Sequence, residues 1–433
     1  MQFDIVVVGA GPAGLSFARS LADTGLSIAL VESQPEAALA APRFDGREIG
    51  LTHGSVRILR EFDAWDRLGP DESAPLREAR VLNGASSYFL SFDPSGGEGE
   101  PLGWFVSNNA IRRVLYESVA ALPTYGTDLR LLSGRRVAGV EIGRDGALVR
   151  LEDGAFIEAR LVVAADTRFS ETRRRQGIPA TSQDFGKVML VCRMAHELPH
   201  DQVATEWFDY GQTFATLPLK GTEAHPHVSS AVLTLPAEKI DPLMALPEAE
   251  FNREMTERLG HRFGAMTLIS TRHAYPLVSV YADRFVKDRF AVIGDAAVGM
   301  HPVTAHGFNF GLTSQQILAD EIRQALARGR DFAAIDVLRR YESRHRRATR
   351  PLYLATLAVV QLYTDDRPLA RAIRRAGLVA GNHLPLFRSG VLKSIMEWDG
   401  PRLPSLPGLP LPGLPLLPLS KLPLPKLPLP FGR

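Results

Sequence analysis

Residues 3–33 read FDIVVVGAGPAGLSFARSLADTGLSIALVES, and no other stretch limits the possible folds so tightly. The apolar run from Phe3 to Val8 fits a central parallel strand covered on both faces. Gly9, Gly11 and Gly14 follow at the spacing of a dinucleotide turn. The first glycine makes the turn, the second admits a pyrophosphate, and the third lets helix and strand pack closely. Pro12 and Ala13 open the helix, where the missing proline N–H is harmless. A second apolar run, Ser27 to Val31, ends in Glu32, placed to accept hydrogen bonds from a ribose. An acid there favours a free ribose hydroxyl over a 2′-phosphate, which leaves NAD or FAD.

Two later segments repeat the pattern of an apolar strand ending in an acid. ARLVVAADTRFSETRR carries Leu161 to Ala165 and then Asp166, and RFAVIGDAAVGMHP carries Phe290 to Ile293 and then Asp295. Ligands of open α/β sheets gather beyond the carboxyl ends of the strands. Three such ends, far apart in the chain, predict one long ligand crossing a discontinuous Rossmann-like domain. Small residues from Ala296 to Gly299, and Gly307, leave room for a flat ligand against main chain. Pro302 stiffens the approach, and a helix starting at Phe308 would point its free N–H groups at whatever lies in front.

Composition sets the outer limits. The 433 residues are enough for two domains, and a net charge of +2 argues against nucleic acid as the main partner. With Cys192 alone there is no internal disulfide, and a reducing compartment is expected. The start lacks a basic, cleavable leader and no run suits a spanning helix, so a cytoplasmic protein is expected, able to rest on a membrane's inner face. HELPH, His196 to His200, has the HExxH spacing, but Pro199 and the strand-like run Val188 to Met194 argue for strand and turn, and no metal is expected. Cys192 reads as a buried small hydrophobe. Arg339, Arg340, Arg344, Arg346, Arg347 and Arg350 read as a solvated helix face, with an anionic surface as the second reading.

Taken together, these motifs resemble the FAD-dependent aromatic-ring hydroxylases built like 4-hydroxybenzoate hydroxylase. YPLVSVYADRFVKDRFAVIGDAAVGMHPVTAHGFNFGL and RRAGLVAGNHLPLFRSGVLKSIMEWDG are similar to the ubiquinone-biosynthesis hydroxylases, and VGMHPVTAHGFN most to their demethoxyubiquinol members. The resemblance implies that Gly9, Gly11, Gly14 and Glu32 hold the ADP half of FAD. It places Arg47 and Asn108 beside the cofactor, Asp166 and Asp295 at its middle, and Gly307, Phe308 and Asn309 at the ring. His301 and Pro302 are flavin-loop candidates for substrate contact. The helix start would then face the negative edge of a reduced flavin. Thr167 and Ala305 stand where the family has glycine, and Val298 where it has histidine.

The implied reaction puts one oxygen atom of O2 into an aromatic ring, with NAD(P)H as electron source and a lipophilic polyprenylated phenol as substrate. A ubiquinone-biosynthesis complex or a membrane surface is the implied partner. Another hydroxylase or reductase of the same fold, or a non-catalytic FAD- or isoprenoid-binding scaffold, stays open. The expected architecture is mixed α/β. Residues 1–75, 100–180 and 270–345 form the FAD domain, and 76–99 and 181–269 a β-sheet substrate domain. Residues 346–400 are helical, and 401–433 form a Pro/Leu-rich tail suited to polyproline II.

Overall fold

The apolar runs become strands of one sheet. A computed structural model of the protein describes residues 1–364 other than 87, 94–98 and 123–127, together with 367, 371, 374 and 377. The tail 401–433 and most of the helical region after 364 lie outside the described residues. Five strands lie parallel in the order Leu129–Leu132, Ile28–Val31, Gln2–Val8, Phe156–Ala164 and Phe290–Val292. The side chains of Ile28–Val31, Ile5–Val8, Leu161–Ala164 and Phe290–Val292 are buried or nearly so on both faces, whereas the edge strand Leu129–Leu132 is partly exposed. Leu132, Val31, Val8, Ala164 and Val292 sit opposite one another, so the five strands end level. Main-chain bonds carry the row one step further: Gly9 N–H donates to Val31 O and Ala165 N–H to Val8 O, both at 2.8 Å, and Ile293 N–H to Ala164 O at 3.0 Å.

A second sheet of nine strands is built on Ala180–His196, which pairs with Val228–Pro236 on one side and His273–Ala282 on the other. Beyond Val228–Pro236 lie Gln212–Leu219, Val203–Asp209, Glu78–Asn83 and Phe89–Phe92. Alternation divides its faces. Leu190, Cys192 and Met194 join Phe214, Leu233 and Phe251 in a buried cluster, whereas Val191, Ala215 and Val232 turn the other way onto a cavity. Burial pushes the Cys192 thiol up to about 12, the behaviour of the small hydrophobe expected there. His273–Ala282 and Val298–Gly299 pair into this sheet, whereas the sequence places 270–345 with the parallel one. Register with Ala180–His196 decides their membership, and apolar content alone does not reveal it.

Two long helices close the other side. Gly307–Ala327 follows the last parallel strand, and Ile335–Thr364 runs straight through the boundary expected at 345/346. Tyr341, fully buried, donates its hydroxyl to Val292 O at 2.7 Å and so fixes the second helix to a strand end. Arg339, Arg344, Arg347 and Arg350 are exposed and Arg340 and Arg346 half-buried, so the arginine-rich face is solvated as expected. Arg340 and Arg344 converge on the buried Glu321 of the neighbouring helix, at 2.8 and 2.9 Å. Burial works to raise the Glu321 carboxyl, but the two guanidinium groups hold it below the usual carboxylate range. HELPH is strand and turn: His196 ends its strand, with one ring nitrogen 2.8 Å from Leu198 O and the other 2.9 Å from Ser229 Oγ, and His200 Nε2 lies 3.0 Å from Leu219 O.

Two glycines of the first turn have opposite reasons to be glycine. A Cβ on Gly14 would lie 2.0 Å from Gly9 O, while one on Gly11 meets nothing within 4 Å. Gly14→Ala is expected to destabilise the apoprotein by about 1–3 kcal/mol, since overpacking outweighs the roughly 1 kcal/mol gained in helix propensity. Gly11→Ala is expected to leave apoprotein stability within about 0.5 kcal/mol of wild type. Urea unfolding of both variants, followed by circular dichroism, checks the contrast.

Candidate functional site

Three of the level strand ends lead into turns made for close approach. Gly9 sits at φ 103°, and a Cβ there would come within 2.8 Å of Ala165 O. The helix Pro12–Ser20 starts at Gly11 with no side chain capping it, so its first N–H groups face the cavity. Glu32 Oε2 accepts from Ala10 N–H at 2.8 Å and Oε1 from Gln34 N–H at 2.8 Å. The carboxylate is thereby fixed at the cavity wall with acceptor capacity left for a diol. At the second end, Asp166 Oδ1 is buried without a hydrogen-bond partner. An orphaned acceptor, an uncapped helix and an open glycine fit a long, polar dinucleotide.

The third end carries Asp295. Gly294, at φ 59°, donates its N–H to Ser314 Oγ at 2.9 Å, and a Cβ there would stand 2.7 Å from that of Ala13. This contact packs the first and third turns against each other. Asp295 accepts from Arg168 Nη2 at 3.2 Å, and Arg168 also donates to Val278 O at 3.1 Å. Arg173 donates to Ala296 O at 2.8 Å and stiffens the same turn from below.

The helix that faces this turn begins at Gly307, one residue before the expected Phe308, with His306 at its cap. Gly307 does not have the positive φ that its glycine suggests. Among its neighbours Ala305 does, at φ 53°. Ala305 thus occupies the left-handed conformation that the family's glycine suits, at a cost of about 1–2 kcal/mol. A Cβ on Gly307 would meet no protein atom nearer than Met300 Cβ at 4.0 Å, so that space belongs to the cavity. Phe308 and Pro302 line the cavity, but Asn309 does not. Its amide is buried and fully engaged: Oδ1 accepts from Ser55 Oγ at 2.6 Å and Thr52 N–H at 3.2 Å, and Nδ2 donates to Gly50 O and Ala305 O at 2.8 and 2.9 Å. The Asn309 side chain thus braces the loop from behind the cavity wall.

Arg47 and Asn108 do meet at the cavity, through a residue the sequence did not single out. Asp45 Oδ2 accepts from Arg47 Nη2 at 2.6 Å and from Asn108 Nδ2 at 2.8 Å. Tyr275 donates its hydroxyl to Asp45 O at 2.7 Å, and Arg47 lies over the Tyr275 ring at 5.3 Å. Burial raises the Asp45 carboxyl, but the Arg47 and Asn108 hydrogen bonds outweigh it and hold Asp45 below the usual range. Asp45 follows no periodic signal, and Tyr275 arrives from another sheet. Neither could be linked to Arg47 from spacing.

His301 lines the cavity beside Phe185, with ring centroids 4.8 Å apart. Its Nδ1 accepts from Val303 N–H at 3.2 Å, which requires a lone pair there. Burial, with Lys187 and Arg168 nearby, pushes the ring down to about 4, so it is neutral at pH 7. The cavity itself holds about 1660 Å³. It runs from the strand ends, past Arg47 and the Gly307 helix start, to Val191, Ala215 and Val232 on the second sheet and Leu352 and Val359 on the last helix.

The site is that of an α/β dinucleotide-binding protein with room for a ligand and an apolar co-ligand in one space. A family model described as FAD binding domain matches residues 2–353, and the chain belongs to that family. The cofactor is FAD, and the glycine cradle, Glu32 and the orphaned Asp166 oxygen are the groups that fit it. The chain is 44% identical to ubiquinone hydroxylase UbiM of Neisseria meningitidis, over 91% of this chain and 85% of that one. It is 33% identical to ubiquinone hydroxylase UbiL of Rhodospirillum rubrum, over 89% and 87%. Among solved structures, p-nitrophenol 4-monooxygenase PnpA of Pseudomonas putida shares the fold with a TM-score of 0.71 at 17% identity, over 91% of this chain and 98% of that one. Among the described residues, no helix is long and apolar enough to cross a membrane.

Two outcomes are expected. Glu32→Ala is expected to weaken FAD binding by about 1–3 kcal/mol, because a charged acceptor is removed, as measured by fluorescence titration of the apoprotein. The second concerns acid. The folded His301 pKa lies below its unfolded value, so protons favour the unfolded chain. Stability is fully present above pH 6.5 and is lost as pH falls toward 4, by up to about 3 kcal/mol. His301→Gln is expected to flatten the loss over that window in urea midpoints.

Proposed function

We propose that this protein is an FAD-dependent monooxygenase that places one oxygen atom of O2 on the aromatic ring of a polyprenylated phenol or quinol during ubiquinone formation, with NAD(P)H as electron source. One observation carries the reading: a single cavity joins the dinucleotide strand ends to an apolar sheet face. The hydroxylase names of UbiM and UbiL support the same reaction. FAD, when bound, supplies the redox chemistry and the activation of oxygen.

The chain's own groups position and enclose. Gly9, Gly11, Pro12, Ala13, Gly14 and Glu32 hold the ADP half, with the uncapped helix start against the pyrophosphate. Asp166, Asp295, Arg47 and Asn108 line the middle, and Gly307, Phe308 and Pro302 form the floor beneath the ring. Residues 1–75, 100–180 and 270–345 supply most of this cofactor half. The strands of 76–99 and 181–269 form the substrate wall, where apolar side chains exclude water. A substrate of this kind partitions into lipid, and Leu354 and Val359 stand exposed on the last helix. The protein therefore works at the inner face of the cytoplasmic membrane, alone or with other enzymes of the pathway.

Purified protein reconstituted with FAD is expected to oxidise NAD(P)H faster when a prenylated phenol is added, and to carry label from isotopic O2 into the ring. Stimulated oxidation without labelled product would overturn the reading. Gly307→Val is expected to fold and bind FAD, since its Cβ meets no protein atom nearer than Met300 Cβ, at an ordinary van der Waals distance of 4.0 Å. Hydroxylation is expected to fall on the order of 100-fold as the branched side chain enters the floor. Product formed per NAD(P)H consumed reads this loss, with circular dichroism as the folding control.

A further inference from the structure

The apolar wall of the cavity contains one carboxyl group that nothing above uses. Cross-strand pairing sets Leu90, Val81, Glu206, Ala215, Val232 and Val191 side by side, and all six line the cavity. Glu206 is the acid in a row of hydrocarbon. Its neighbours two residues away on the same strand, Ala204 and Phe208, line the cavity too. Among the described residues no hydrogen bond or ion pair reaches the Glu206 carboxyl. Two of the cations that also line the cavity are engaged elsewhere. Arg80 is paired with Glu78 at 2.6 Å, and Arg374 donates to Leu362 O at 2.7 Å over the Tyr363 ring. The side chain opens onto the cavity, and enclosure pushes its carboxyl up to about 8, so at neutral pH it is mostly the neutral acid.

A carboxyl in such a place loses part of its contact with water to the surrounding hydrocarbon and gains no protein bond in return. A ligand oxygen delivered into the cavity would repair that loss. The neutral acid both donates and accepts, which matches a phenolic hydroxyl and suits neither a carboxylate nor a cation. Resting on the reading above, we propose that Glu206 is a specificity-determining residue that hydrogen-bonds the ring hydroxyl of the aromatic substrate, while the surrounding row accepts its hydrocarbon.

The test compares 2-prenylphenol with prenylbenzene, which lacks the hydroxyl, in equilibrium binding to the FAD-loaded protein. Wild type is expected to prefer the phenol roughly tenfold, the value of one hydrogen bond to a carboxyl that has no protein partner. Glu206→Leu is expected to bring the two affinities within about twofold, keep FAD affinity and melt no lower than wild type. Glu206→Gln, which still donates and accepts, is expected to retain most of the preference. A leucine variant that keeps the tenfold preference, or a wild type without one, overturns the assignment. Ring hydroxylation by the wild type is read separately from turnover, so failure of the proposed reaction and failure of the Glu206 contact give different results.

Discussion

The level ending of five parallel strands is the constraint on which the rest of the molecule depends. With Leu132, Val31, Val8, Ala164 and Val292 in one row, the turns that follow open on one line at one edge. A slip of one residue in any of the three strands that lead into an acid would move that acid out of the row and turn the strand's side chains to the opposite faces. Both-sided burial of Val, Ile and Leu forbids that slip, so the packing of the core also sets the position of Glu32, Asp166 and Asp295. The glycines act after the register is set. Gly14 against Gly9 O and Gly294 against Ala13 then bring helix and turns so close that only main chain remains on the line.

The second sheet adds what a dinucleotide fold lacks. Its strands divide by alternation into a buried face and a cavity face, so one set of residues both builds a core and walls a site. Arg47, Asp45, Asn108 and Tyr275 join the two halves with a charged, hydrogen-bonded knot. The knot lies where an apolar surface begins, which keeps the polar end of the cavity distinct from the hydrocarbon end. The last helix reaches across that boundary, held at its start by Tyr341 on Val292 and by Arg340 and Arg344 on Glu321.

Much of this was legible in the sequence because it rests on local pattern. The mixed α/β class, the glycine turn, the three acidic strand ends and the strand in place of a zinc helix at HELPH all follow from spacing and alternation. What escaped depends on contacts across long separations. Asn309 looks like a ligand contact beside Gly307, yet its partners Gly50, Thr52 and Ser55 are more than 250 residues away. Ala305 looks like a mild change of size, whereas its left-handed backbone makes it a change of conformational freedom. Glu206 sits in an ordinary alternating strand, and only the cross-strand row shows that it is alone among hydrocarbons. The pairing of Arg340 and Arg344 with Glu321 was not legible either, because a second helix supplies the acid.

The brace between Asn309 and Gly50 also has a consequence in time. It spans 259 residues, and the neighbouring row of strands is complete only once Val292 has been made. At translation rates of about 5–20 residues per second, roughly 13–50 s separate the synthesis of the two partners. During that interval the first glycine turn and Glu32 exist without the floor that faces them. Cofactor capture is therefore a late event in the life of a nascent chain, and the half-built sheet must wait with an apolar strand edge exposed.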